Sequence, residues 1–113
     1  MHELGIVIEI VKNVKAFAEK NGISKVDTLV LQVGELSPAI PQYIEECFPA
    51  AVDGTFMVDT KLKIEILQGN AMCKDCNKIY NLIENKGVCP SCESKNMEII
   101  SGRELMIKEI IAC

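Results

Sequence analysis

Apolar side chains recur at Leu4, Val7, Ile8, Val11, Val14 and Ala18, the three-and-four spacing of a helix with one buried stripe. Glu9, Lys12, Asn13 and Glu19 fall elsewhere around the cylinder. Asn21 and Gly22 suit the left-handed cap that ends such a helix. The run VDTLVLQVGELS is β-branched, bounded by Gly34 and Ser37, and predicts a strand. In PAIPQYIEECFPAAVDG, Pro41 suits a helix start, and Ile40, Ile44 and Phe48 share a face. Pro49 would clash with the carbonyl of Glu45, so this second helix is expected to kink or to end near Phe48. KLKIEIL alternates cleanly, with Leu62, Ile64 and Ile66 on one face and Lys61, Lys63 and Glu65 on the other. ELMIKEII, close to the carboxyl terminus, predicts a third strand with weaker alternation.

Between the last two strands the character changes. Residues from about Gly69 to Gly102 lack helical periodicity, abound in turn formers and hold four of the six cysteines. The order helix, strand, helix, strand, module, strand predicts an α+β fold. A small three-stranded sheet packs with two helices, and a four-cysteine, zinc-ribbon-like module is inserted. The expected domains are 1–69 plus 102–113, and an inserted metal-binding domain over 70–101.

Composition narrows the class. With 113 residues the chain holds one domain, or one domain with a small module. Two Tyr, three Phe and no Trp leave the core to Ile, Val and Leu. A net charge of −4 argues against a nucleic-acid partner, which asks for a basic face. No apolar run approaches the ~20 residues of a membrane span, and no secretory signal is visible, so a cytoplasmic protein is expected. In a reducing compartment paired cysteines point to metal before disulfides.

CKDC and CPSC place Cys73, Cys76, Cys89 and Cys92 in a C-x2-C-x12-C-x2-C pattern. Each two-residue gap lets a tight turn aim two thiolates at one ion. Two such turns make the sulfur tetrahedron that Zn²⁺ takes, with bonds of about 2.3 Å. Iron also accepts four thiolates, but such carriers usually wrap the metal in aromatics, and Tyr80 is the one aromatic of this segment. Disulfides are the other alternative. Asn77 and Glu93 follow the two pairs, where these turns often need positive φ; Asn tolerates it better than Glu. Four sulfurs close the shell, so the ion is expected to be structural, not catalytic. Cys47 reads as a small buried hydrophobe, and nothing pairs Cys113 with a partner.

His2 is the only histidine of the chain and stands beside Met1. A large second residue should preserve the initiator Met, leaving an α-amino group whose pKa of about 7.7–8.0 lets a metal displace its proton. The amine, the His2 backbone nitrogen and imidazole, and the Glu3 backbone nitrogen can close adjacent chelate rings. A plane of strong-field nitrogens favours Ni²⁺ or Cu²⁺. The Glu3 carboxylate is placed to lend negative charge.

MHELGI opening a first helix, VGELS after the first strand and CKDC…CPSC before a final strand together resemble the HypA/HybF family of hydrogenase nickel-incorporation metallochaperones. The resemblance covers the whole chain in order. It implies labile Ni²⁺ at Met1, His2 and Glu3, and structural Zn²⁺ at Cys73, Cys76, Cys89 and Cys92. It implies delivery to the large subunit of [NiFe]-hydrogenase together with a GTPase maturation partner; some relatives also serve urease and its accessory proteins. No membrane partner is expected. The aliphatic face of the first helix and the strand edges are candidate surfaces for a homodimer.

Two other classes compete with this reading. A zinc-ribbon adaptor for protein or nucleic acid shares the cysteine pattern, but a nucleic-acid ribbon should show excess Lys and Arg with stacking aromatics. Here four lysines face Asp75, Glu84, Glu93 and Glu98. An enzyme is not expected: no Ser/His/Asp set, no Gly-rich phosphate loop and no second histidine to pair with Cys47 occur.

Overall fold

The computed structural model describes residues 3–112; Met1, His2 and Cys113 lie outside the described residues. The elements are α1 (Glu3–Lys20), β1 (Val26–Gly34), α2 (Pro41–Val52), β2 (Lys61–Leu67), β3 (Asn70–Cys73), β4 (Ile79–Asn81), β5 (Met97–Ile99) and β6 (Leu105–Ala112). Two three-stranded sheets form, in the orders β2-β1-β6 and β4-β3-β5.

The chain divides into two compact units. One holds residues 1–32, 39–65 and 105–113; the other holds 33–38 and 66–104. The ends of β1 and β2 are knitted into the unit around the cysteines by their own hydrogen bonds.

In the first unit α1 presents Glu3, Val7, Ile10, Val11, Val14 and Ala18 as its buried stripe. This corrects the expected face. Leu4 and Ile8 are exposed at 43% and 39%, whereas Ile10 is buried. The true stripe descends from residue 3 through 7, 10 or 11, 14 and 18, so the row of residues 4 and 8 lies on its flank. Gly22, at φ 67°, ends the helix with Ile23 N–H donating to the Ala18 carbonyl at 2.8 Å, as the KNG segment predicts.

Helix α2 begins at Pro41 but does not stop at Phe48. It continues one turn past Pro49 to Val52, where the Asp53 N–H donates to the Pro49 carbonyl at 3.2 Å. A proline this near the carboxyl end removes one hydrogen bond without breaking the last turn. Ile44, Phe48 and Val52 are the buried face; Ile40, expected to share it, is the exposed N-cap. Leu29 and Leu31 of the central strand are almost fully buried, as are Ile44 and Met57.

Strands β1 and β2 run in the same direction, joined through α2. The Thr60 hydroxyl donates to the Val26 carbonyl at one end, and the Glu35 N–H donates to the Leu67 carbonyl at the other. Strand β6 runs opposite, since Gly34 N–H meets the Glu104 carbonyl at 2.7 Å where β6 begins.

The second unit is built on three short antiparallel strands that periodicity did not reveal. Ala71 stands opposite Tyr80 on one side and Ile99 on the other, and Cys73 stands opposite Met97. Ala71, Cys73, Tyr80 and Cys89 are its buried centre, with Leu82 and Met97 packed against them. Three glycines allow backbones to touch here. A Cβ on Gly34 would strike the Gly102 carbonyl, one on Gly102 would strike Gly69, and one on Gly69 would strike the Leu36 side chain. VGELS supplies Gly34, Leu36 and Glu35, whose carboxylate accepts from the Asn81 amide at 3.1 Å.

Candidate metal centres

Strand β3 delivers Cys73 at its end, and a tight turn returns Cys76 beside it. Asn77 N–H donates to the Cys73 carbonyl at 2.8 Å, and Cys73 N–H donates to the Lys78 carbonyl at 2.8 Å. The second turn repeats the design: Glu93 N–H to the Cys89 carbonyl and Cys89 N–H to the Ser94 carbonyl, both at 2.9 Å. Asn77 and Glu93 take φ of 64° and 62°, the left-handed geometry that the pairs lead one to expect after their second cysteine. The Ser94 hydroxyl donates to the Asp75 carboxylate and so clasps one turn to the other, a link that spacing alone did not signal.

The four sulfurs lie within 4.8 Å of one another, two cross-turn pairs being 3.5 Å apart (Cys73 with Cys92, and Cys76 with Cys89). A tetrahedron with bonds of about 2.3 Å has edges of roughly 3.8 Å, so the donor set fits one tetrahedral ion. All four are free thiols, as is Cys47, which is half-buried on α2. Cys73 and Cys89 are buried; Cys76 and Cys92 face outward.

Charge is shared unevenly among the sulfurs. Burial disfavours the Cys89 thiolate, but the backbone N–H groups of Cys92 and Ser91, then the Cys76 and Cys92 thiols, pull it down to about 7. Cys73 is likewise lowered: burial opposes, and the Cys76 and Asp75 amides prevail. The Lys78 amide favours the Cys76 thiolate, yet Cys89 and burial raise it. The Ser94 amide favours the Cys92 thiolate, but Cys73, burial and the other sulfurs push Cys92 up to about 12. The two knuckles thus hydrogen-bond their sulfurs alike, the first cysteine from two amides and the second from one. Burial first, and then the thiolates of Cys73, Cys89, Cys92 and Cys76, raises the Tyr80 phenol above its ordinary value.

Of the proposed nickel residues, Met1 and His2 lie outside the described residues. Glu3 is 5% exposed in the first turn of α1, and its carboxylate accepts from the backbone N–H of Ile40, the N-cap of α2, at 3.4 Å. A carboxylate at that helix start also complements the positive end of the α2 dipole.

The family model described as "Hydrogenase/urease nickel incorporation, metallochaperone, hypA" matches residues 1–112. The chain belongs to the HypA family. Hydrogenase maturation factor HypA of Nostoc sp. is 37% identical over 110 residues, covering 97% of this chain and 94% of that one. The protein of the same name from Trichodesmium erythraeum is 38% identical over the same shares of both chains. A solution structure of the Ni metallochaperone HypA from Helicobacter pylori superposes with a TM-score of 0.70 at 26% identity, over 99% of this chain and 97% of that one. A second, a solution structure of HypA protein, gives 0.73 at 26% identity, over 100% and 97%. This HypA-family chain is a nickel-incorporation metallochaperone of hydrogenase maturation, not an enzyme. No helix among the described residues is long and apolar enough to cross a membrane.

Proposed function

We propose that this chain carries Ni²⁺ at its amino terminus and hands it to the large subunit of a [NiFe]-hydrogenase. The ligands are the Met1 α-amino nitrogen, the backbone nitrogen and imidazole of His2, and the Glu3 backbone nitrogen. The observation that carries this reading is the family match over residues 1–112, which includes the MHE opening. The buried Glu3 supports it: α1 begins, with a buried side chain, at the residue that follows His2 in the sequence. Four nitrogens in a plane leave both faces of the ion open to an incoming ligand, and transfer proceeds by stepwise exchange.

The four cysteines hold a resident Zn²⁺. Zinc fits their spacing and, with all four positions taken, supplies folding energy instead of chemistry. Labile cargo and permanent brace are separated: 1–69 with 102–113 is the nickel-binding part, 70–101 the zinc-binding insert. The chain works in the cytoplasm with a GTPase maturation partner, and in hosts with urease it also serves urease accessory proteins.

The test is nickel titration of protein with an authentic amino terminus, beside His2→Ala and a variant with residues added before Met1. Both changes abolish the planar nickel spectrum while one zinc per chain persists. Unchanged nickel binding in both variants removes the proposed site.

A further inference from the structure

The small sheet of the second unit has two edges, and they differ. Its order β4-β3-β5 leaves one long side of β4 and one of β5 without a strand beside it. The register decides which backbone groups face outward. Lys74 N–H donates to the Asn96 carbonyl and Ile100 N–H to the Asn70 carbonyl, so residues 96, 98 and 100 turn their hydrogen-bonding groups toward β3. Met97 and Ile99 therefore aim their N–H and C=O groups away from the sheet, and no other segment among the described residues takes them. On β4 the same alternation turns Ile79 and Asn81 outward, but there the Asn81 carbonyl already accepts from the N–H and the side-chain amide of Asn85. The chain covers one edge with its own turn and leaves the other open.

Side chains fit the open edge to one kind of visitor. Two hollows of about 360 Å³ and 420 Å³ adjoin along β5, and Ile99 and Arg103 line both. Met97 adds apolar surface to the first and Leu67 to the second. Arg103 is the only arginine of the chain, and neither it nor Lys74 has an ion-pair partner among the described residues. In the hollow they share, these two cations against the single acid Glu98 leave one positive charge over. We propose that an extended, acidic segment of a partner protein, with apolar residues between its acids, adds to β5 as a further strand of this sheet. Its main chain pairs with Met97 and Ile99, its apolar side chains lie on Ile99 and its neighbours, and its carboxylates meet Lys74 and Arg103. A second copy of this chain fits poorly. Two antiparallel β5 strands in full overlap set Glu98 against Glu98, like charges directly opposite one another. The same glutamate and the shortness of β5 guard the open edge against self-pairing. The argument uses β5 and its flanks alone, so it stands apart from the nickel reading.

The test titrates the isotope-labelled full-length protein with a blocked peptide of alternating glutamate and valine, and with its lysine–valine counterpart. Amide shifts and hydrogen exchange are read residue by residue. The glutamate peptide is expected to shift the amides of 97–100 and to slow exchange at Met97 and Ile99, while the lysine peptide leaves both unchanged. Arg103→Glu weakens glutamate-peptide binding several-fold at low salt, and the difference narrows as salt rises. Lys86→Glu, the same change of charge elsewhere in this unit, matches the parent. Shifts confined to β4 or to the helices, unchanged exchange at Met97 and Ile99, or equal binding of the two peptides each overturn the inference. Slowed exchange of the same two amides on concentrating the protein without peptide assigns the edge to a second copy, and overturns it as well.

Discussion

At the scale of single residues the two knuckles differ in one respect that chemistry can test. Asn77 and Glu93 occupy the same left-handed position, yet only Asn has a short polar side chain suited to it. Glu93→Asn is expected to stabilise the zinc-loaded protein by up to about 1 kcal/mol, read as a higher denaturant midpoint at unchanged slope. The same substitution at Lys86, at φ 52°, acts in the same direction. The convergence of the four cysteines and the positive φ after each pair were legible because a C-x2-C turn imposes a local pattern. The Asp75–Ser94 clasp was not, since it joins residues nineteen positions apart and neither type is diagnostic. Nor was the Glu3 contact with Ile40, which depends on where a second helix comes to rest.

At the scale of elements the helices and the long strands were readable and their faces only in part. The 3.6-residue period located α1, but two flanking rows were both apolar, and only packing decides that Ile10 is buried while Leu4 and Ile8 are exposed. Ile44 anchors α2 with no exposed surface, so Ile44→Ala should cost about 2–5 kcal/mol, measured by chemical denaturation. Strands β3, β4 and β5 were missed because three or four residues are too few to show alternation. On the large sheet, Lys108 reaches the Glu65 carboxylate at 2.7 Å. Its hydrogen bond and charge lower the Glu65 carboxyl and raise the Lys108 ammonium. The Glu65 contribution is present above its unfolded pKa of about 4.3 and is lost as pH falls through the lowered folded value. The Lys108 contribution is full below its unfolded pKa of about 10.4 and is lost as pH rises through the raised folded value. Lys108→Met should therefore be slightly less stable than the parent at neutral pH and indistinguishable from it in strong acid, a small difference because the pair is partly exposed.

At the scale of the whole molecule, the centre of the second unit is small: Ala71, Cys73, Tyr80 and Cys89 with two partly buried neighbours. On the function proposed above, such a core depends on its ion. A zinc chelator is expected to collapse the amide dispersion of 66–104 in an NMR spectrum while leaving the signals of α1 and α2 dispersed. Because the ion must displace protons from thiols, zinc binding is expected to release protons, and its apparent affinity should rise with pH through the region near 7 to which Cys89 is pulled down. Calorimetry in buffers of different ionisation enthalpy counts those protons. The meeting of Gly34, Gly69 and Gly102 sets a further limit on how such a protein can change. Three stretches of main chain, far apart in the gene, share one narrow passage where no side chain fits. A one-residue insertion in any of them displaces the other two, whereas a side chain added at Gly87 would meet nothing within 4 Å. Length variation among working descendants of this gene should therefore spare the passage.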